Sequence, residues 1–238
     1  IGTVELKSEP GGLFSFGLSR WDVRDAEFDL GVFAKTYTVT APEEADITVN
    51  GVRLTEANCD MELGLPAVLE PYAGDLGQQP GWVNYSFTAV ALPEVRVVSA
   101  SDDYWMSRDE AADVFTVTLQ CDSELSAELT AYAEAFVRAY IAYTSNAVDG
   151  PGVVQQYLVP GSSMYERMTA SMDGMSWVHG VTSTMSELQI VGYEYYGSAA
   201  VLEANYVLTS NGVATDNDMK IILTLTDSGW RVANIELL

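Results

Sequence analysis

The sequence predicts an N-terminal, all-β, sandwich-like domain over residues 1–122 and an α+β domain over residues 123–238. In the second domain, three helices pack on a curved four-stranded antiparallel sheet. Three observations lead to this prediction. The first domain holds short segments of alternating apolar and polar residues, residues 125–141 carry apolar side chains at helical spacing, and residues 187–238 contain two hairpin signals.

The first domain is predicted from short strands and turn residues. Alternation predicts strands at residues 33–40, 83–92, 95–99 and 114–120. Asn50-Gly51, flanked by Ile47–Val49 and Val52–Leu54, predicts a type I′ hairpin, because both central residues of that turn have positive φ. We predict that residues 1–30 are irregular and that the proline-containing residues 55–82 form a long connection with room for one short helix.

Three helices are predicted after a change of pattern near residue 122. Asp122 or Ser123 caps the first helix, whose apolar stripe runs from Leu125 to Ile141. A short helix follows at residues 153–159. The capping-box sequence Ser163-Met164-Tyr165-Glu166 opens the third helix.

The turn residues set the register of the predicted sheet. A two-residue turn at Gly197-Ser198 places Tyr195 opposite Ala200, Tyr193 opposite Leu202, Val191 opposite Ala204 and Gln189 opposite Tyr206. In the last hairpin, Gly229 takes the left-handed position and Lys220 falls opposite Glu236. Side chains alternate between faces, so Glu194 and Glu203 are predicted to point away from the helix-covered face.

The closing pattern Ile221-Ile222-Leu223-Thr224-Leu225, then Gly229-Trp230-Arg231-Val232 and Ile235, resembles the final hairpin of the nuclear transport factor and ketosteroid isomerase superfamily. The resemblance covers residues 123–238 and implies a cone-shaped fold. It implies no single function, because the superfamily includes isomerases, dehydratases, transport adaptors and non-catalytic envelope domains. A sandwich followed by such a cone is similar to the extracytoplasmic part of membrane-anchored proteins of Gram-positive bacteria.

The cone predicts a ligand pocket between the first helix and the concave face of the sheet. Its predicted ligand-binding residues are aromatic: Tyr140, Tyr143, Trp177, Tyr193, Tyr195 and Tyr206. Such a pocket suits a flat apolar ligand with a few polar groups. The alternative is that these aromatic side chains simply fill the cone. Because Glu194 and Glu203 fall on the other face, the pocket lacks the carboxylate base of an isomerase, and we predict no catalytic residue.

Charge excludes some partners. The formal net charge is −23, which opposes binding to nucleic acid or to anionic lipid. The sequence has no membrane-spanning stretch and no signal peptide, and it begins at Ile1. We therefore expect a piece of a longer protein, located at the cell surface or outside the cell, whose membrane anchor lies upstream.

Cysteine and histidine are scarce. Cys59 and Cys121 are either bridged or two free thiols, and the sequence leaves both alternatives open. With His179 as the single histidine, a zinc site of the Cys/His type cannot be assembled, and we predict no metal and no cofactor.

Two functions follow as hypotheses. The first is a non-enzymatic binding module, with a homodimer or protein interface on the face that carries Trp230, Val232, Ile222 and Glu203. The second is a small-molecule isomerase, dehydratase or carrier that uses the tyrosine-lined pocket.

Overall fold

The structure is a computed structural model, and it describes residues 2–9, 20–28, 34–98, 104–145, 147–148, 150–170 and 183–238. Across these residues the chain is mostly β-sheet. The strands are β1 (Gly2–Glu9), β2 (Arg20–Phe28), β3 (Lys35–Pro42), β4 (Asp46–Val49), β5 (Val52–Arg53), β6 (Asp60–Gly64), β7 (Trp82–Ala89), β8 (Val95–Val98), β9 (Tyr104–Asp109), β10 (Val114–Leu119), β11 (Ser183–Tyr195), β12 (Ala199–Ser210), β13 (Val213–Thr226) and β14 (Gly229–Leu237). The helices are α1 (Ser123–Thr144), α2 (Gly152–Gln155) and α3 (Ser163–Ala170).

One nine-stranded sheet joins the two halves of the chain. Its order is β14-β13-β12-β11-β10-β3-β7-β6, with β9 on the other edge of β10. β10 pairs parallel with β3, and it meets β11 through a single pair, Leu119 with Tyr195.

The predicted fold class, a sandwich followed by a three-helix α+β cone, is therefore wrong. The four strands of the predicted cone continue into the sheet of the first half, and α2 and α3 have only four and eight residues. Pairing between segments that lie far apart in the chain leaves no trace in a local residue pattern. The division into domains at residue 122 remains a prediction.

The helices cover one face of strands β11–β14. Asp122 caps α1 by accepting a hydrogen bond from the Leu125 N–H at 2.8 Å. The stripe of α1 that includes Leu129 and Phe136 is fully buried against strand residues such as Leu202 and Ile221. In α3 the capping residue is Ser162, whose Oγ accepts from the Tyr165 N–H. The cap was thus predicted one residue late, at Ser163 instead of Ser162.

Residues 65–82, here called the covering segment, pack on the reverse face of the same strands. Trp82 is 2 % exposed and lies in one core with Val201 and Ile222. Its indole Nε1 donates to the Tyr196 carbonyl at 3.3 Å. Gly77 comes so close to β13 that a Cβ there would lie 2.6 Å from Thr226 Cγ2, so only glycine fits without a shift.

This packing corrects the predicted interface. Ile222 and Val232 are fully buried, and Trp230 is 8 % exposed, with its ring 6.3 Å from that of Tyr195. Only Glu203 of the predicted interface residues is exposed. Three of the four residues predicted to form a protein or homodimer interface are therefore buried. The covering segment packs on one face of these strands and the helices pack on the other.

Two β-bulges explain the errors in register. The pairs Tyr195–Ala200, Tyr193–Leu202 and Lys220–Glu236 are as predicted. A bulge between Ile190 and Gly192 then pairs Ala204 with Ile190 and Asn205 with Gln189, in place of the predicted partners. A second bulge, between Ile222 and Leu223 in the pairing with β14, leaves Ala233 unpaired and turns Val232 and Trp230 toward the helices.

In the first half, the Asn-Gly hairpin is confirmed, with φ of 50° at Asn50 and 79° at Gly51. The prediction that residues 1–30 are irregular is wrong, because β1 and β2 form an antiparallel hairpin there. Strands β6 and β9 were also not predicted.

Candidate functional site

A groove opens where β10 and β11 separate. Beyond the Leu119–Tyr195 pair, β10 ends and the chain turns into α1 at Asp122. The space left beside β11 has a volume of about 510 Å³. It is lined by Met106, Ser107, Thr118, Leu119, Gln120, Cys121, Ser126, Tyr193, Glu194 and Tyr195. We call this space the Tyr193 groove.

Tyr193 has the most unusual environment in the groove. Its hydroxyl oxygen is buried, and within the described part of the chain it has no hydrogen-bond partner. Burial raises the pKa of this phenol, and the neighbouring Cys121 thiol raises it further. The thiol lies beside the hydroxyl and interacts with it, although the contact falls short of a regular hydrogen bond. A buried polar group without a partner is rare in proteins and calls for an explanation.

Tyr195 and Glu194 form the rest of the β11 wall. The Tyr195 ring is half-buried against Trp230, and burial raises the pKa of its phenol. Glu194 is exposed, and its Oε2 accepts a hydrogen bond from the Tyr196 hydroxyl at 2.7 Å. The groove is therefore mixed, with aromatic and apolar surface from Tyr193, Tyr195, Met106 and Leu119 and polar groups from Ser107, Thr118, Gln120, Ser126 and Glu194.

The six predicted ligand-binding residues do not all lie together in this groove. Tyr193 and Tyr195 line it. Tyr206 is 5 % exposed and belongs to the core under α1, where Tyr140 stacks on Phe136 at 6.0 Å and Tyr143 is half-buried. Trp177 lies outside the described residues, as does His179. Ligand binding by these residues remains a prediction.

Sequence reasoning missed the wall of the groove that comes from β9 and β10. Met106, Leu119 and Cys121 reach the site only because β10 pairs with Tyr195 across seventy-six positions of sequence. Glu194 was predicted to point away from the helix-covered face, and it is not part of the core under α1. It still reaches the groove, because the groove lies at the strand edge rather than beneath the helices.

The two cysteines are free thiols. Burial raises the pKa of both Cys59 and Cys121 above the ordinary value. Since the thiolate is the nucleophile, a raised pKa lowers the reactive fraction at neutral pH. The Cys121 thiol therefore lacks the activation that nucleophilic catalysis requires.

We expect two thiols per chain to titrate after unfolding without reductant. In the native protein, iodoacetamide is expected to alkylate both more slowly than it alkylates free cysteine at pH 7.5, because less thiolate is present. The rate should rise as pH increases through the raised pKa values. Titration of fewer than two thiols, or native alkylation as fast as that of free cysteine, would contradict this description.

Some other kinds of site are absent from the described residues. Within the ranges given above, no group of three or more histidine, cysteine, aspartate or glutamate side chains is arranged to hold a metal ion. None of the helices in that part of the chain is long and apolar enough to cross a membrane.

No family model matches the chain, and no curated protein matches it significantly. Among solved structures, it is similar to the intermembrane space region of the chloroplast protein ARC6, with 18 % sequence identity. The match covers 46 % of this chain and 95 % of that one, with a TM-score of 0.32. A likeness of this size carries no conclusion about the fold or function of the chain.

Proposed function

We propose that the chain is a non-catalytic binding module that seats an apolar or aromatic group of its ligand in the Tyr193 groove. One observation carries the proposal: the Tyr193 and Tyr195 rings line one groove with Met106 and Leu119, and among the described residues the buried hydroxyl of Tyr193 has no hydrogen-bond partner. Because the hydroxyl oxygen is buried, the proposal requires the Tyr193 ring to shift toward the groove when the ligand binds, so that one hydrogen-bonding atom of the ligand satisfies the hydroxyl. We further propose that this module acts outside the cytoplasm.

Binding is favoured over catalysis by the chemistry of the groove. The raised pKa of Cys121 keeps its thiol protonated at neutral pH, so it is a poor nucleophile. The Glu194 Oε2 already accepts a hydrogen bond from the Tyr196 hydroxyl, which occupies one of its two oxygens.

Replacing Tyr193 with phenylalanine should weaken binding and stabilise the free protein. With 2-naphthol and estradiol as probes, we expect Kd to rise about fivefold, which is the loss of roughly 1 kcal/mol for one hydrogen bond. Titration followed by NMR chemical shifts measures this. Tyr206→Phe is the matched control, because Tyr206 lies in the core under α1 and does not line the groove.

The same variant should raise the free energy of unfolding by about 1 kcal/mol, because it removes a buried hydroxyl that has no regular hydrogen-bond partner among the described residues. Tyr196→Phe should lower it by about 1 kcal/mol, because the Tyr196 hydroxyl donates to Glu194. Urea denaturation compares the two. A Tyr193→Phe variant that is destabilised, or that binds both probes as well as the parent, would argue against the proposed site.

A further inference from the structure

The outer edge of β11 is open over most of its length. β11 spans Ser183–Tyr195 and pairs with β12 along one edge. On the other edge, its pairing with described residues is limited to Tyr195 with Leu119. Within the part of the chain that the structure describes, residues 183–194 form no backbone hydrogen bond beyond their pairing with β12. Such an edge presents N–H and C=O groups to an incoming strand.

The Tyr193 groove marks the place where a neighbouring strand is missing. Tyr195 directs its backbone toward β10, since it pairs with Leu119. Backbone groups alternate between the two edges of a strand, so Tyr193 also directs its N–H and C=O outward. A strand added beside residues 183–193 would occupy the path that β10 leaves when the chain turns into α1. One of its side chains would then enter the groove.

The surroundings of this edge are more acidic than basic, and Arg108, next to the groove residue Ser107, is already paired with Glu110 and Asp113. Residues 109–137, which include β10 and most of α1, hold seven Asp or Glu and no Lys or Arg. Residues 183–219, which include β11 and β12, hold five Asp or Glu and again no Lys or Arg. Edge-to-edge pairing of two copies would bring like charges together, because both edges carry Glu187 and Glu194. A cationic segment is attracted instead.

The groove suits a lysine or arginine side chain. The aliphatic stem of such a residue packs on apolar surface, here Met106 and Leu119. Its cationic head is attracted by the rings of Tyr193 and Tyr195 and by the carboxylate of Glu194 at the rim.

We propose that β11 accepts an extended, lysine- or arginine-rich segment of a partner protein as an added strand, with one cationic side chain in the Tyr193 groove. The proposal rests on the proposed function and narrows it: the apolar group in the groove is the aliphatic stem of a lysine or arginine, whose cationic end lies at the Glu194 rim. Main-chain hydrogen bonds to β11 would provide affinity, and the groove and the acidic charge would provide selectivity.

The probe is an acetylated, amidated peptide of alternating lysine and valine, seven residues long, added to the complete chain. Two control peptides share its length: one has glutamate in place of lysine, and the other has N-methyl groups on alternate backbone nitrogens. We expect both controls to bind at least about tenfold more weakly, since the first reverses the charge and the second removes the strand hydrogen bonds. Fluorescence anisotropy measures all three peptides.

Two protein variants separate local charge from total charge. Glu187 is in β11, and Glu44 is in an exposed turn between β3 and β4. Replacing either residue with lysine changes the net charge by the same amount. We expect Glu187→Lys to raise the Kd of the lysine peptide about fivefold. Glu44→Lys should change that Kd less than about twofold, because exposed charges are screened beyond about 10 Å.

Amide hydrogen exchange tests the edge itself. In the free protein, β11 is expected to exchange faster than β12, which is paired on both sides, and the lysine peptide should slow β11 specifically. The test concerns the β11 amides that point away from β12, such as that of Tyr193. Slow exchange of these amides in the free protein would overturn the proposal, whether or not it depends on protein concentration, since the edge would then be occupied. Equal binding of either control peptide would also overturn it. If the naphthol and estradiol probes still bind in a Tyr193-dependent way, the proposed function stands even then.

Discussion

Trp82→Ala is expected to lower the free energy of unfolding by about 3–5 kcal/mol, the usual range for truncating a fully buried tryptophan. Trp82 is the largest side chain that the covering segment places against β11–β14. Its ring meets that of Tyr196 edge-on at 5.3 Å, and its Nε1 hydrogen bond to the Tyr196 carbonyl is buried. The alanine would leave both a cavity and an unpaired carbonyl. Urea denaturation followed by circular dichroism gives the value.

The variant Trp82→Phe separates the contribution of the hydrogen bond from that of packing. Trp82→Phe retains most of the packing and removes the N–H donor, so we expect a loss of about 1–2 kcal/mol. Leu63→Ala serves as the control, because Leu63 is 81 % exposed and its truncation should change stability by less than about 0.5 kcal/mol. A Trp82→Ala variant that behaves like Leu63→Ala would show that the covering segment does not pack on the sheet.

Asp75→Ala is expected to lower the free energy of unfolding by about 3 kcal/mol, because it removes the acceptor of three hydrogen bonds, one of them from the buried Asn234 amide. The Asp75 carboxylate is 8 % exposed. It accepts from the Ser163 N–H at 2.6 Å, from Ser163 Oγ at 2.8 Å and from Asn234 Nδ2 at 3.0 Å. One residue of the covering segment thus fixes the start of α3 to the middle of β14. Thermal and urea unfolding measure the loss.

A double-mutant cycle isolates the contact between Asp75 and Asn234. The two side chains share a hydrogen bond, so Asp75→Ala and Asn234→Ala should be non-additive by at least about 0.5 kcal/mol. Asp227→Ala, at an exposed turn residue, is the control and should change stability by less than about 0.5 kcal/mol. Strict additivity of the first pair would contradict the arrangement of residues 75, 163 and 234.

Turn residues allowed local structure to be predicted from the sequence. Asn50-Gly51 and Gly197-Ser198 set their hairpins correctly, and Asp122 caps the first helix as expected. These signals are local because the φ values and side-chain bonds they need are set within a few residues. The pairs next to each turn followed correctly, such as Tyr193 with Leu202.

The register was lost where a strand carries one extra residue. Val191, 56 % exposed, takes up the extra position in β11, and Ala233 does so in β14. A bulge exchanges the faces of all residues beyond it, and the alternation of apolar residues in one strand does not show whether its partner has one. For this reason Trp230 was predicted on an open face, although it packs under the helices.

The site itself depended on contacts between distant segments. Tyr193 and Tyr195 were predicted as ligand-binding residues from their face of the sheet, and both line the groove. The opposite wall could not be predicted, because the pairing of Leu119 with Tyr195 and the parallel pairing of β10 with β3 join segments with no shared turn. The prediction of a wider pocket lined by six aromatic residues required an unfilled space under α1. The described residues there pack as a core.

The central claim is that the covering segment buries the reverse face of β11–β14, so that a ligand of these strands meets them at the Tyr193 groove rather than on that face. The most direct test is a nuclear Overhauser measurement between the Trp82 indole and the Tyr196 ring in a selectively labelled sample. The ring centroids are 5.3 Å apart, so cross-peaks between the two rings are expected. Their absence, together with a Trp82 indole that is accessible to a soluble paramagnetic quencher, would contradict the account.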